Sequence, residues 1–204
     1  MNIFFDFCFD HAGLTRNSEH GGMRLRVLVC STVVLLTAGL PAFAAGYSAS
    51  SGTVTFDYRV TFIGVRGTGT DLSADVSFTP DSLDGATGTV TVPTASLKTG
   101  NGLQEDHMRG ALGSGAFPNM VYTLSGVNTS TMLSEGQTLA TTGSGKLTLK
   151  GVSRALSVPL KLTLNGGKVT VAAQFKFNPH DFGVDYLGGA DSVAVNVGFV
   201  LAPR

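Results

Sequence analysis

Leu156-Ser157-Val158-Pro159-Leu160-Lys161-Leu162-Thr163-Leu164, then Asn165-Gly166-Gly167, then Lys168-Val169-Thr170-Val171-Ala172-Ala173-Gln174-Phe175-Lys176-Phe177: this stretch decides the fold. Leu156, Val158, Leu160, Leu162 and Leu164 alternate with Ser157, Pro159, Lys161 and Thr163. After the glycine pair, Val169, Val171, Ala173, Phe175 and Phe177 alternate with Thr170, Gln174 and Lys176. A period of two puts one face of each run in an apolar interior and the other in water, as in an antiparallel sheet. Asn-Gly-Gly between two such runs predicts a tight hairpin.

The same period recurs along the chain. It covers Val54–Phe62, Leu72–Phe78, Gly88–Val92, Met120–Leu124, Leu147–Leu149 and Val193–Phe199. About eight strands are predicted. Gly67-Thr68-Gly69 and Pro80-Asp81-Ser82 read as turns between them, and Pro159 marks an edge or bulge. Only Leu103–Leu112 reads as a helix, a short one. Eight amphipathic strands can pack as a sandwich or close into a barrel that has no edges. Strands of about ten residues, ~33 Å long at 3.3 Å each, joined by hairpins favour the barrel. The outward positions are Thr, Ser, Lys and Asp rather than an aromatic-rimmed lipid-facing band. The predicted class is therefore all-β: an antiparallel up-and-down eight-stranded barrel, apolar inside and wet outside, with one short helix.

The 204 residues carry 14 basic and 14 acidic side chains. That zero balance argues against a nucleic-acid or acidic-membrane binder, which needs a basic face. An apolar fraction of 43% excludes disorder, and two cysteines are too few for a disulfide framework or zinc ribbon. Met23-Arg24-Leu25-Arg26, an apolar run from Val27 to Leu40, and Ala42-Phe43-Ala44 have the order of a signal peptide. The apolar run is about 14 residues, shorter than the ~20 of a spanning helix. Cleavage is expected after Ala44, with residues 23–44 as the signal peptide and residues 1–22 as an extension from too early a start. Residues 45–204 then form one thiol-free, neutral barrel domain, periplasmic or secreted.

Small inward residues (Ala74, Gly88, Gly143, Gly145, Ala173) among large ones leave volume that either neighbours or a ligand must fill. Alternation alone does not decide between a packed core and a cavity. Five segments bear on the choice: Ala95–Asn101, Glu105–Arg109, Phe117–Tyr122, Gly145–Arg154 and Phe175–Val184. In order and spacing over nearly all of 53–200, they resemble the YceI-like family, bacterial periplasmic proteins with a lipocalin-like barrel that bind polyisoprenoid lipids. The chain departs from the family pattern at Ser50-Ser51, at Pro179-His180, and in a shortened 110–117 loop near where a ligand would enter. The resemblance implies an extended apolar tunnel for a long isoprenoid chain and no catalytic residues. Candidate ligand-binding residues are Phe56, Tyr58, Phe62, Val76, Phe78, Val90, Met120, Tyr122, Leu147, Val158, Leu160, Phe175 and Phe177, with His107, Phe117 and Phe182.

Glu105-Asp106-His107 and the distant His180 lack the spacing of a metal site. Acidic residues early in a helix are ordinary dipole complements. By the resemblance, His107 and Arg109 either fix the helix or meet a polar head group. Asp181-Phe182-Gly183 comes without the rest of a kinase signature and reads as a turn. Asn128-Thr129-Ser130, a glycosylation acceptor pattern, carries no meaning in a bacterial export. No nucleophile–base pair is visible, so an enzyme of lipid substrates is disfavoured. The expected function is non-enzymatic carriage or storage of an isoprenoid-type lipid, polyprenyl phosphate or prenyl quinone, with no other cofactor and no metal. Its partners would be that lipid and, transiently, a membrane, with the protein a monomer or homodimer and no nucleic acid bound. The alternative is a stress-related structural or interaction protein whose barrel is filled.

Overall fold

The computed structural model describes residues 45–204 apart from residues 80 and 130. The expected extension and signal peptide lie outside the described residues. Ten strands run in order: β1 Ala45–Ala49, β2 Gly52–Val60, β3 Ile63–Gly69, β4 Ser73–Thr79, β5 Ser82–Pro93, β6 Asn119–Val127, β7 Thr138–Leu149, β8 Val152–Asn165, β9 Lys168–Phe177 and β10 Val193–Pro203. One helix, α1 (Gly102–Leu112), lies between β5 and β6, and short 3-10 turns occupy Thr94–Ser96 and Pro179–Phe182.

The strands form one antiparallel sheet in the order β1-β4-β5-β6-β7-β8-β9-β10-β2-β3, and β10 also pairs with β1. That last pairing closes the ring. β1 and β2 lie end to end along β10, and β3 and β4 along β1 and β2. Ala49 faces Ala74 before the break and Val54 faces Gly69 after it, so the register is unchanged across Ser50-Ser51. The pairs β1/β2 and β3/β4 therefore act as two interrupted strands of an eight-stranded up-and-down barrel.

Local chemistry explains the joints. Gly166 and Gly167, both with left-handed φ (56° and 73°), turn β8 into β9, with Asn165 facing Lys168. Two successive positive φ values match the twist of a hairpin, and glycine takes them without strain. Pro159 sits opposite Thr142 on β7, one residue before the β8–β9 ladder begins at Leu160, so no partner on β9 needs its missing N–H. Asn101 caps α1, its side chain accepting from the Gln104 N–H at 3.2 Å. Gly113, at φ 61°, ends the helix by donating to the Arg109 and Gly110 carbonyls.

Gly67-Thr68-Gly69, expected as a turn, is strand. Gly67 faces Phe56 across the β2–β3 pair, and any side chain there would overlap the Phe56 ring. Gly67 clears room for an aromatic ring and Gly69 for Leu97, and the joint to β4 comes later, at Thr70–Leu72.

The inward faces form one apolar cluster. It includes Tyr47 stacked on Phe78 at 4.2 Å between centroids. The outward faces carry short polar chains across the strands: Thr138 to Thr163 (2.8 Å), Thr148 to Ser153 (2.7 Å), and Gln174 to Asn196 to Thr55 (2.7 and 3.2 Å). Such cross-strand pairs add modest stability and hold the register.

Candidate functional site

The barrel interior is not solid. A cavity of about 410 Å³ runs inside it, within the ~300–1,000 Å³ usual for ligand pockets. β8, at 14 residues, spans about 46 Å, or roughly 35 Å along the axis of a barrel with ordinary strand tilt. The cavity uses most of that height. At one end its wall includes Gln104, His107, Met108 and Ala111 of α1 with Tyr186; at the other it includes Leu83, Leu133, Val169 and Leu201. Those last four are all buried and close the far end. Ile63 and Tyr186 both line the cavity and reach solvent, which places its mouth between the β2–β3 tip, α1 and the 183–192 loop.

No Asp, Glu, Lys or Arg side chain lines the cavity. The polar groups in the wall are Gln104, His107 and the hydroxyls of Tyr58, Tyr122 and Tyr186. Tyr122 donates within the wall, to the Leu156 carbonyl at 3.0 Å or the Gly143 carbonyl at 3.2 Å, and burial pushes its phenol up to about 12. Burial also raises Tyr58, helped by the negative charges of Asp191 and Asp185. At the mouth the Tyr186 hydroxyl lies 3.2 Å from Nδ1 of His107, and both residues line the cavity. An apolar tube with a few neutral polar groups at one end suits a molecule with a long hydrocarbon tail and a small head.

The structure places Phe56, Tyr58, Val76, Phe78, Val90, His107, Met120, Tyr122, Leu147, Val158, Leu160, Phe175 and Phe177 on the cavity wall. Three expected residues lie elsewhere. Phe62 falls one residue beyond the Val60–Ile63 pair that ends the β2–β3 ladder, in a two-residue turn with Thr61 at φ 53°. There the alternation no longer applies, and Phe62 is 96% exposed. Phe117 packs outside the tunnel against Gly113 and Gly151, where a side chain at Gly151 would meet its ring at 2.6 Å. Phe182 is buried but stands behind the wall, edge-on to Phe177 at 5.5 Å. It covers the flank where β8 has no β9 partner before Leu160, and Arg154 Nε donates to the Asp181 carbonyl at 3.0 Å beside it.

The small inward residues also do a different job from leaving space. Gly145 is overlaid by the Tyr122 ring and Gly143 by Leu160 and Leu124, so these glycines receive neighbouring side chains. The space itself lies along the axis. Other lining residues escaped the sequence reading. Gln104, Met108 and Ala111 share one face of α1 with the expected His107, at i, i+4, i+7 and i+3, a spacing that could have exposed that inner face. Tyr186 and Leu133 come from irregular segments, where periodicity carries no signal.

Glu105 is a structural anchor. It accepts from the Thr99 N–H at 3.0 Å and the Gly100 N–H at 3.3 Å, and pairs with Arg109 at 3.1 Å and Lys98 at 3.5 Å. The Thr99 hydrogen bond foremost, then Lys98, holds its carboxyl below the usual range. Arg109 also pairs with Asp106 at 2.9 Å, so it fixes the helix rather than facing the cavity. His180 lies between Asp185 (2.6 Å from Nδ1) and Asp191 (3.4 Å from Nε2). Among the described residues no group of three or more His, Cys, Asp or Glu side chains is arranged to hold a metal ion.

A family profile described as the YceI-like domain matches residues 47–201. No curated protein matches the sequence. Among solved structures, BcnA of Burkholderia cenocepacia aligns at a TM-score of 0.63 and 22% identity, over 73% of this chain and 95% of its own. A polyisoprenoid binding domain from Saccharophagus degradans aligns at 0.64 and 15% identity, over 79% and 99%. The Campylobacter jejuni YceI protein aligns at 0.58 and 21%, over 72% and 88%. At these identities the structures support the fold, and the sequence profile over three quarters of the chain supports the kinship. The chain belongs to the YceI-like family.

Proposed function

We propose that the barrel binds a long isoprenoid-type lipid in its tunnel and carries or stores it, without catalysing a reaction. The observation that carries this reading is the uncharged, almost wholly apolar cavity running from Tyr186 to Leu133. Each buried CH₂ contributes ~0.8 kcal/mol, so ten of them give about 8 kcal/mol gross and roughly micromolar affinity before ordering costs. The matching Saccharophagus degradans domain is itself described as polyisoprenoid binding, which supports the same class of ligand here.

The mouth favours a neutral head. No lysine or arginine lines the cavity, while Asp185 and Asp191 lie close enough to Tyr58 to raise its phenol. A phosphate there would face those carboxylates with no lysine or arginine in the cavity wall to pair with. A quinone carbonyl could instead accept from Gln104 or a tyrosine hydroxyl. Among the described residues the ring partners of the histidines are Tyr186 for His107 and Asp185 and Asp191 for His180, none of them a serine or cysteine nucleophile. The competing reading, a filled barrel acting only through its surface, is at odds with the open lumen.

Cleavage after Ala44 would keep Ala45–Ala49, the residues of β1, in the mature chain. On this reading the mature protein works in the periplasm or outside the cell. Titration of delipidated protein with a prenyl quinone and a polyprenyl phosphate of equal tail length tests the function. Saturable binding of both, tighter for the quinone by tenfold or more, is expected. Failure of either tail to bind would refute the lipid reading, and a preference for the phosphate would refute the neutral head.

A further inference from the structure

We propose that the rim of the tunnel mouth is a docking surface for a lipid bilayer, with Phe62 and Leu187 as its inserting side chains. The proposal rests on the reading of the tunnel as a lipid site. Phe62 and Leu187 are each 96% exposed, an unusual state for large apolar residues. They come from separate elements held side by side. The Thr61 N–H donates to the Gly188 carbonyl at 2.6 Å, Val60 bridges to Gly189, and the Ala190 N–H donates to the Arg59 carbonyl at 2.9 Å. Ile63, 62% exposed, follows Phe62 on the tip. Leu103, 67% exposed, stands on α1 one turn before His107, which meets Tyr186 next to Leu187.

Tight hairpin tips ordinarily take Gly, Asn or Asp, so nothing in the turn calls for phenylalanine. Away from the helix end of the barrel, the exposed large apolar residues among those described are Met132, in the irregular stretch before β7, and Val200, on β10. Clustered exposed apolar side chains mark an interaction surface, whereas single ones do not. A bilayer fits better than a second copy of the chain. The four rim side chains and Tyr186 offer roughly 500 Å², below the ~800 Å² per partner of a stable protein interface. The rim is also continuous with the tunnel, because Ile63 and Tyr186 belong to both. With the rim in the acyl layer, a chain leaving the tunnel would not cross water. Around this end Arg66 pairs with Asp57 and Lys98 and Arg109 with Glu105, and the chain is neutral overall, so attachment is hydrophobic and needs no anionic lipid.

Flotation of the mature protein with phosphatidylcholine vesicles tests this. Wild type should float with the vesicles at low and high salt. F62S/L187S should lose at least about tenfold in partition, while M132S/V200S should float like wild type. A pyrene-labelled long-chain alcohol, whose head is neutral, should still enter the tunnel of F62S/L187S in solution, since neither residue lines it. Flotation unchanged in F62S/L187S, equal loss in M132S/V200S, or no flotation of wild type would overturn the proposal. So would a concentration-dependent wild-type dimer that F62S/L187S abolishes in the absence of vesicles. Flotation that depends on Phe62 and Leu187, with no long-chain alcohol entering wild type, would support the docking surface and count against the tunnel reading alone.

Discussion

Replacing Val158 with aspartate should unfold the barrel at neutral pH, while the same change one residue earlier, at Ser157, should not. Val158 is 4% exposed and lines the cavity opposite Gly143; Ser157 points outward and is exposed. An aspartate at 158 loses the valine's burial, about 1.5 kcal/mol. In a dry lumen it must take up a proton, which at pH 7 costs about 4 kcal/mol from an ordinary pKa near 3.9. The resulting neutral carboxyl, without a partner, costs a further ~1–3 kcal/mol. The sum, about 7–9 kcal/mol, rivals the whole stability of a typical domain, ~5–15 kcal/mol. Because the folded-state pKa is raised, the folded form binds more protons, and stability falls as pH rises above about 4. V158D should therefore regain roughly 3 kcal/mol at pH 5 relative to pH 7, and S157D should stay within ~0.5 kcal/mol of wild type. Urea unfolding followed by far-ultraviolet circular dichroism at both pH values is the assay, since the chain has no tryptophan. A V158D protein that is stable at pH 7 with no acid dependence would mean that water fills the lumen. Equal damage from S157D would mean that the inward and outward faces are assigned the wrong way round.

Tyr122→Phe should lower the melting temperature by about 2–4 °C, through loss of one buried hydrogen bond worth about 1 kcal/mol. Since the folded phenol titrates near 12 and an unfolded one near 10, wild type should also lose stability as pH rises past about 10. Y122F should lose less, and denaturation midpoints at pH 9 and 11 show the difference. Gly145→Ala should cost ~1–3 kcal/mol, because its methyl would overlap the Thr123 carbonyl and meet the Tyr122 ring. Gly198→Ala, which meets open space, should be neutral or slightly stabilising by the same melts. N-terminal sequencing of the exported protein should begin at Ala45, and a start elsewhere would refute the expected cleavage.

Strict alternation made the barrel legible from sequence: the runs around Val158 and Val171 name their inward residues, and the structure puts those on the wall or core. The rule stopped where its physical basis stopped. Phe62 continued the period of β2 in sequence, but the chain had already turned at Thr61, so parity with Val60 no longer meant burial. Gly67 and Gly69 resembled turn residues because glycine serves both sharp turns and close packing, and only the opposing Phe56 and Leu97 side chains show which applies. Phe182 came from a segment shared with the family, and its place behind Phe177 depends on a gap between β8 and β9 that no local pattern encodes. The mouth drew on Tyr186 in an irregular loop and on an α1 face whose spacing was present but short.

Solvent extraction of the purified mature protein, followed by mass spectrometry and quantified against protein, tests the central claim most directly. A neutral prenyl lipid at close to one chain per barrel is the expected result. A clean extract, from a protein that also takes up no prenyl quinone when supplied with it, would contradict the account.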